Sequence, residues 1–308
     1  MTLSLVIGMN IGKLYKNVLL ELGSTVYTID PDPNKNANFL SINDAIKFLI
    51  KVGYHPRQID TVHICTPNWT HESIATEIAP YSKIVFIDKP GLLNEDRLYK
   101  LHKMFTDTRF MMVKNNMWRD NIKEMQQSAN ESRSIHLNWI NSDRVPSPGT
   151  WFTTKDLAFG GVSRDLMPHL LSLVVAFFPN TYKSLDLIGN GKCRNWSLNR
   201  LTNTQYGTVK ADGIYDVDDL AWLDFSINIG EYQTIKIRLE ANWRTIMQDD
   251  RSVTFDTGRK QDKFELGLCP EYAYKNMIKD CINNLYNQQF WNNQYEIDLW
   301  IHRMVNEI

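Results

Sequence analysis

The chain has 308 residues, 43% hydrophobic, 22% charged and 11% aromatic, with 34 Lys+Arg against 35 Asp+Glu and a formal net charge of −1. At about 100–200 residues per domain, this length predicts two domains. The balanced charge, with no basic run, excludes the clustered cations that hold nucleic acid or an anionic membrane, and no apolar run approaches the roughly 18 residues of a membrane-spanning helix.

The start, MTLSLVIGMNIG, has neither a basic n-region nor a long apolar stretch, so a cytoplasmic protein without a secretory leader is expected. Cysteines 65, 193, 269 and 281 form no CxxC pair and match no zinc spacing. Free thiols in a reducing compartment and no metal site are the expectation.

In chain order, Thr2–Ile7 is predicted as a strand. Gly12–Leu22 follows as a helix with Leu14, Val18, Leu19 and Leu22 on one face, ended by Gly23. Next come a strand over Thr25–Ile29, a helix over Ile42–Val52 capped by Ser41 or Asn43, a strand over Thr61–Cys65 and a helix near His71–Ile78. Lys83–Ile87 and Phe110–Val113 read as strands on either side of a helix near Asn94–Phe105. Apolar strands alternating with helices of this length predict a parallel sheet of βαβ crossovers, buried on both faces.

The pattern changes after about residue 118. A helix over Trp118–Ser128 leads into alternating segments at Ser134–Ile140, Lys183–Ile188, Leu220–Ile229, Thr234–Trp243 and Ser252–Thr257. Ile235, Ile237 and Leu239 alternate with Lys236, Arg238 and Glu240, the mark of a half-exposed antiparallel sheet. An apolar helix over Asp165–Phe178 interrupts this region, Asn190–Asp216 reads as a long loop, and helices near Glu271–Leu285 and Glu296–Asn306 close the chain. The predicted fold class is therefore α/β. A Rossmann-type, doubly wound parallel sheet occupies residues 1–118, and an α+β domain with a largely antiparallel open sheet occupies residues 119–308.

The turn after the first strand reads Gly8-Met9-Asn10-Ile11-Gly12. Glycines serve in such a turn where the backbone bends sharply and approaches a pyrophosphate, whose charge rests on free N–H groups at a helix N-terminus. Asn10 stands for the middle glycine, and the spacing is one residue short of G-x-G-x-x-G; asparagine tolerates left-handed backbone. An ordinary strand–helix turn is the other reading. The second strand ends at Asp30, 22 positions beyond Gly8. An acid there accepts hydrogen bonds from the adenosine ribose and repels a 2′-phosphate, which favours NAD(H) over NADP(H). Otherwise Asp30 is a turn residue of the Asp30-Pro31-Asp32-Pro33 stretch.

Three further segments carry a resemblance. Val62-His63-Ile64-Cys65-Thr66-Pro67-Asn68-Trp69-Thr70-His71 resembles the (V/I)xI(A/C)TPNxxH segment of the glucose–fructose oxidoreductase / inositol dehydrogenase (Gfo/Idh/MocA) family. Phe86-Ile87-Asp88-Lys89-Pro90 resembles its EKP motif, with Asp88 in place of Glu. Gly160-Gly161-Val162-Ser163-Arg164-Asp165-Leu166-Met167-Pro168-His169 resembles its GGxxxDxxxH motif, where Phe159 departs from the commoner third glycine. The resemblance covers most of the chain and is thin between about 182 and 270. Arg164–Leu171 and Tyr295–Trp300 also resemble glucose-6-phosphate dehydrogenases, which are much longer.

The resemblance implies hydride transfer between a nicotinamide and a hydroxyl-bearing carbon of a sugar, sugar derivative or cyclitol. By it, Lys89 touches the nicotinamide ribose and the substrate oxygen. His169 is the base in oxidation and the acid in reduction, and Asp165 binds substrate or orients the imidazole. Gly8, Asn10, Ile11, Gly12, Asp30, Thr66, Pro67, Asn68, His71, Lys89 and Pro90 are the implied cofactor residues. Asn116, beside Asn115 and Trp118, and Trp151, before Lys155, stand where family members place substrate contacts. The open sheet face is implied to meet a second copy in a dimer or tetramer, since an exposed face tends to bury apolar area.

Elementary chemistry gives the same roles. An alcohol releases hydride only as its proton leaves, a histidine can take that proton near neutral pH, and an ammonium stabilises the charge on oxygen. Asp165 and His169 are i, i+4 and would share a helix face if the helix starts near Ser163–Asp165, which also makes Pro168 tolerable. Taken singly, His169 reads as a structural histidine of an apolar helix and Lys89 as a solvated lysine. Tyr206, Arg238, Trp243 and Arg244 contact substrate or line a sheet. The alternative function is a non-catalytic NAD(P)- or sugar-binding regulator of the same fold; a third reading uses transient oxidation for epimerisation or glycoside cleavage.

Overall fold

The computed structural model describes residues 2–142, 144–201, 207–229, 233–245, 248–268 and 270–308. Tyr206 and Cys269 lie outside the described residues. The chain divides into two compact units, Met1–Asn115 with Pro270–Leu299, and Asn116–Cys269 with Trp300–Ile308. Among the described residues no helix is long and apolar enough to cross a membrane.

The first unit opens with β1 (Leu3–Ile7), α1 (Gly12–Glu21), β2 (Thr25–Ile29), α2 (Ile42–Lys51) and β3 (Ile59–Ile64). It continues with α3 (His71–Ile78), β4 (Ser82–Ile87), α4 (Glu95–Met104) and β5 (Arg109–Met112). The strands pair in parallel in the order β2-β1-β3-β4-β5. Leu3, Leu5, Ile7, Val62, Ile64, Val85 and Ile87 are buried with helix residues Ala45, Leu49, Ala75 and Ile78. Each of the Leu, Ile and Val side chains among them contributes roughly 1.5–3 kcal/mol relative to exposure. Caps fix two helix starts: Ser41 Oγ accepts from Asp44 N (3.1 Å) and Asn94 Oδ1 from Arg97 N (3.1 Å).

The second unit contains α5 (Ile122–Glu131), β6 (Ser134–Ser142), α6 (Lys155–Ala158), α7 (Val162–Asp165) and α8 (Met167–Phe177). It also holds β7 (Leu185–Cys193), β8 (Leu220–Ile229), β9 (Gln233–Thr245), β10 (Asp250–Asp256) and β11 (Gln261–Glu265). These strands form one sheet in the order β11-β10-β6-β9-β8-β7, antiparallel except between β6 and β9. Its inner face buries Leu137, Leu223, Phe225, Ile237, Leu239 and Phe255. The apolar α8 lies against β6 and β9, with Phe177 edge-on to Phe255 (centroids 5.4 Å). The alternate positions point outward: Lys236 and Arg238 are exposed, and Arg238 donates to Asp224 at 2.8 Å.

The chain ends with α9 (Glu271–Asn283) and α10 (Gln288–Glu307). The sequence pattern groups residues 270–299 with the second half; in the structure they pack with the first. Tyr274 of α9 meets Tyr15 of α1 edge-on (5.3 Å), Tyr295 of α10 meets His102 of α4 (4.4 Å), and Asp298 is ion-paired with Lys114, both side chains wholly buried.

Three elements differ from expectation. β7 runs to Cys193, through residues that read as loop, with a register shift between Leu187 and Gly189. β11 has no counterpart in the sequence pattern, because Gln261–Glu265 is mostly polar and charged. The helix expected over Asp165–Phe178 is divided at Leu166, since Pro168 brings no N–H to continue the ladder and sits instead in the first turn of α8. Asn195, Trp196 and Tyr215 are tied down by Asp219, whose carboxylate accepts from the backbone N–H of Asn195 (2.9 Å) and Trp196 (2.9 Å) and from the Tyr215 hydroxyl (3.2 Å). Burial pushes the Asp219 carboxyl up, against the pull of those bonds.

Candidate active site

In the first sheet the strand order reverses between β1 and β3, because the chain leaves β1 for β2 on one side and returns to β3 on the other. Ligands of open α/β sheets bind in the crevice outside the strands' carboxyl ends at such a point. The loops after β1, β3 and β4 all emerge at that edge.

Gly8 follows β1 with φ +92°, and its N–H donates to Ile29 O at 2.8 Å. A Cβ there would lie 2.5 Å from the Cys65 carbonyl oxygen, so the turn passes too close to the end of β3 for any side chain. Gly12 is buried against Val6. Asn10 and Ile11 are exposed at the tip. Ile11 caps α1 without a side-chain bond to its first N–H groups, leaving those donors for solvent or a ligand. Asp30, after β2, is buried. Its Oδ2 accepts from Met9 N (2.7 Å) and its Oδ1 from Asp32 N (2.9 Å), so the carboxylate is fixed beside the turn with lone pairs to spare. Lys35 donates to Asn10 Oδ1 at 2.6 Å.

Thr66, Pro67 and Asn68 are half-buried after β3. The Thr70 hydroxyl lies 2.7 Å from both Thr66 Oγ1 and the Pro67 carbonyl. Lys89 and Asp88 are half-buried after β4, and the Lys89–Pro90 peptide is cis. His71 opens α3. It is wholly buried, with Nδ1 2.7 Å from Gly91 O and Nε2 2.9 Å from Thr66 O. His71 thus lies between the Thr66 and Lys89–Pro90 loops, where the single N–H of a neutral imidazole can donate to one of the two carbonyls. Burial holds its pKa below the ordinary value, against the two backbone bonds and with help from Lys89. Beyond β5, Asn115 is wholly buried, and neither amide atom has a partner among the described residues.

In the second unit, Asp165 and His169 fall at the end of α7 and near the start of α8, not on one face of a continuous helix. Both are half-buried. Asp165 Oδ2 accepts from the indole N–H of buried Trp243 on β9 at 2.8 Å. The Trp139 indole of β6 stacks on the His169 ring (centroids 5.1 Å, planes 21° apart). Asn116 Nδ2 lies 3.2 Å from His169 Nδ1, and Arg119 Nε donates to Asn116 Oδ1 at 2.8 Å. Trp151 is half-buried and stacks on Phe152 (3.7 Å), while Lys155 is exposed.

The turn before Asp165 is held by a residue that sequence reasoning misses. Asp218 accepts from Gly161 N (3.0 Å) and Ser163 N (2.8 Å), and its carbonyl accepts from Val162 N (2.9 Å). A Cβ on Gly161 would run into that same carbonyl oxygen, which is why glycine stands there. Burial lowers the pKa of neighbouring Arg164, and Asp218 opposes the shift. Trp139 and Arg119 are missed as well. No local signal marks any of the three, since each acts at long range in sequence or through another side chain. Of the residues left open above, Trp243 reaches Asp165, Arg238 pairs on the outward sheet face, and Arg244 lies over the Trp196 ring (4.7 Å).

No protein-family model matches the chain. A protein described as a UDP-kanosamine synthase oxidoreductase subunit of Amycolatopsis mediterranei (strain S699) is 25% identical over 168 residues, 53% of this chain. The match spans 47% of that relative, about half its length. Among solved structures, GenD2 from gentamicin A biosynthesis, in complex with NAD, superposes with a TM-score of 0.75 at 14% identity, covering 99% of this chain and 92% of that one. A myo-inositol dehydrogenase from Corynebacterium glutamicum ATCC 13032 gives 0.69 at 13% identity, covering 99% and 95%. These likenesses span whole chains at identities that speak for architecture, and the parallel five-stranded sheet followed by the six-stranded mixed sheet is the architecture they share: the chain has the fold of the Gfo/Idh/MocA-type dehydrogenases.

Proposed function

We propose that the protein is an NAD(P)-dependent oxidoreductase that transfers a hydride between a nicotinamide and a hydroxyl-bearing carbon of a sugar, sugar derivative or cyclitol. The observation that carries the proposal is the switch-point crevice of the first sheet, where the carboxylate of Asp30 is fixed beside an α1 N-terminus that no side chain caps. That donor set fits a dinucleotide: N–H groups for the pyrophosphate and a carboxylate for the ribose hydroxyls. The relatives described as oxidoreductase, NAD complex and inositol dehydrogenase support the same reading.

Gly8, Asn10, Ile11, Gly12, Asp30, Thr66, Pro67, Asn68, His71, Lys89 and Pro90 would hold the cofactor, and when bound its nicotinamide supplies the site that accepts or gives the hydride. Lys89 places an ammonium for charge developing on the substrate oxygen. Asp165, steadied by Trp243, would bind substrate or orient the imidazole, and His169, steadied by Trp139 and Asn116, would be the base in oxidation and the acid in reduction. By resemblance, Trp151 and Asn116 add further substrate contacts.

We place NAD(H) ahead of NADP(H) because the Asp30 carboxylate would repel a 2′-phosphate. Titration calorimetry of the purified protein with NADH and with NADPH tests both points. Binding of NADH is expected to be the tighter, and Asp30→Ala is expected to weaken it by about 10- to 100-fold, the worth of one or two charge-assisted hydrogen bonds. Binding of neither nucleotide sinks the oxidoreductase reading, and an unchanged NADH/NADPH ratio in Asp30→Ala removes the account of cofactor choice.

We also propose a cytoplasmic protein that self-associates through the second sheet. The outward face of that sheet is polar, with Arg238 bonded to Asp224, so a second copy would have to match charge with charge rather than bury an apolar surface. Sedimentation at micromolar concentration is expected to show a dimer or larger species that loosens in high salt; a monomer at low salt refutes this.

A further inference from the structure

We infer that Lys35 is a phosphate-binding residue: Asn10 holds its ammonium at the tip of the Gly8–Gly12 turn, where it meets the pyrophosphate of the dinucleotide. The inference rests on the oxidoreductase reading and adds to it a residue that neither the motifs nor the resemblance marks.

The turn itself sets the problem. In G-x-G-x-x-G the middle glycine lets bare backbone approach the pyrophosphate. Here Asn10 stands in that position, so a side chain projects where bare backbone is wanted. An amide carries no charge to make up for a longer approach. It does carry a carbonyl oxygen, and Lys35 Nζ donates to that oxygen at 2.6 Å. Asn10 is exposed at the tip, and Lys35 is half-buried.

Lys35 is placed there by its own loop. The chain leaves β2 at Ile29 and is pinned again at Phe39, whose N–H donates to Thr28 O (3.1 Å) and whose carbonyl accepts from Asp30 N (3.0 Å). Within the loop, Asp30 Oδ1 accepts from Asp32 N (2.9 Å). Asp32 Oδ1 accepts from Asn34 N (2.9 Å) and so starts the single helical turn Pro33–Lys35. Asn36 follows in left-handed backbone (φ 53°) and turns the chain back. Both acids of the segment are thus bonded to backbone N–H groups, and the group that meets the ammonium is a neutral amide oxygen.

The local charge points the same way. A helix N-terminus carries positive partial charge and favours acids nearby. The first turn of α1 has no acid, and it contains Lys13. Lys35 brings a second ammonium to the same end. Two cations at the positive end of a helix are unfavourable in the free protein. A pyrophosphate offsets that repulsion and accepts a charge-assisted hydrogen bond from Nζ. The adenosine 2′-phosphate is the other phosphate a dinucleotide can offer, and the Asp30 carboxylate repels it.

The test is calorimetric titration of the wild type and Lys35→Met with NADH, ADP-ribose and NADPH. NADH and ADP-ribose both contain the pyrophosphate and lack the 2′-phosphate. Lys35→Met should weaken each of them about tenfold at low salt, the effect of one charge-assisted hydrogen bond. It should also flatten the fall of affinity with added NaCl. Adenosine, titrated by NMR, should bind both proteins alike. Asn10→Ala, which frees the ammonium, should lose part of the affinity that Lys35→Met loses. Unchanged or tighter binding of NADH by Lys35→Met overturns the inference, because the lysine is then a bystander or a latch across the turn. A loss confined to NADPH, or one shared by adenosine, overturns it too. Lys35→Gln serves for the same comparison should Lys35→Met fold poorly. A wild type that binds no nucleotide sinks the oxidoreductase reading and this inference with it, whereas NADH binding without loss in the variant sinks this inference alone.

Discussion

Two histidines of the first unit show how a single buried residue sets the response of the molecule to acid. His63 on β3 is stacked on Phe86 (centroids 4.7 Å), and burial holds its pKa down to about 3. His102 on α4 is held at about 4 by burial, with Arg109 and Lys114 adding to the effect. In the unfolded chain both titrate near 6.5. Between those values the unfolded chain binds protons that the folded one refuses, so stability is complete above about pH 6.5 and is lost as pH falls toward 4 and then 3. Each tenfold difference in proton affinity between the folded and unfolded chain is worth about 1.4 kcal/mol, so each histidine withdraws a few kcal/mol across that window. His63→Phe, which keeps the ring and removes the titration, should flatten the fall in urea midpoint between pH 7.5 and 5. An undiminished fall in the variant would show that His63 does not control it. The chemistry proposed for Lys89, Asp165 and His169 is visible in the order of three motifs, but the residues that steady the second-unit pair are not. Trp139 and Trp243 reach it through sheet register, Asp218 through a backbone cap, and Arg119 through Asn116. Such couplings exist only once the chain has folded.

At the scale of elements, the parallel strands and their helices are legible because each strand is an apolar run between turn residues and each helix shows a single apolar face. The exceptions have local causes. β7 carries Gly189, Asn190 and Gly191, and β11 is largely polar; both sit at sheet edges, where only one side need pair and apolar alternation relaxes. The break between α7 and α8 is half legible, since Pro168 marks it, but the bridging of Asp165 to Trp243 is not. The last strand-to-helix link of the first unit rests on one buried ion pair. Asp298 of α10 accepts from Met112 N at 2.8 Å and from Lys114, which also donates to the Met112 carbonyl (3.1 Å). Removing one partner of a buried pair leaves an uncompensated charge and typically costs about 3–5 kcal/mol. Asp298→Ala should lower stability by that amount in urea unfolding, whereas replacing both residues together, Lys114→Met with Asp298→Leu, should recover most of it. A double variant as unstable as the single would mean that the pair is not the source of the loss.

For the whole molecule, the ion pair reaches across 184 positions of sequence. A ribosome adding about 5–20 residues per second would therefore expose Lys114 roughly 10–40 s before its counter-charge is made. During that interval the sheet of β1–β5 has all its strands but lacks α9 and α10, so Tyr15 and His102 are without Tyr274 and Tyr295. The nascent chain must wait with a completed strand order and an unfinished core. The length of that wait is set by the stretch inserted between residues 115 and 270, no described residue of which joins the sheet whose core it leaves unfinished.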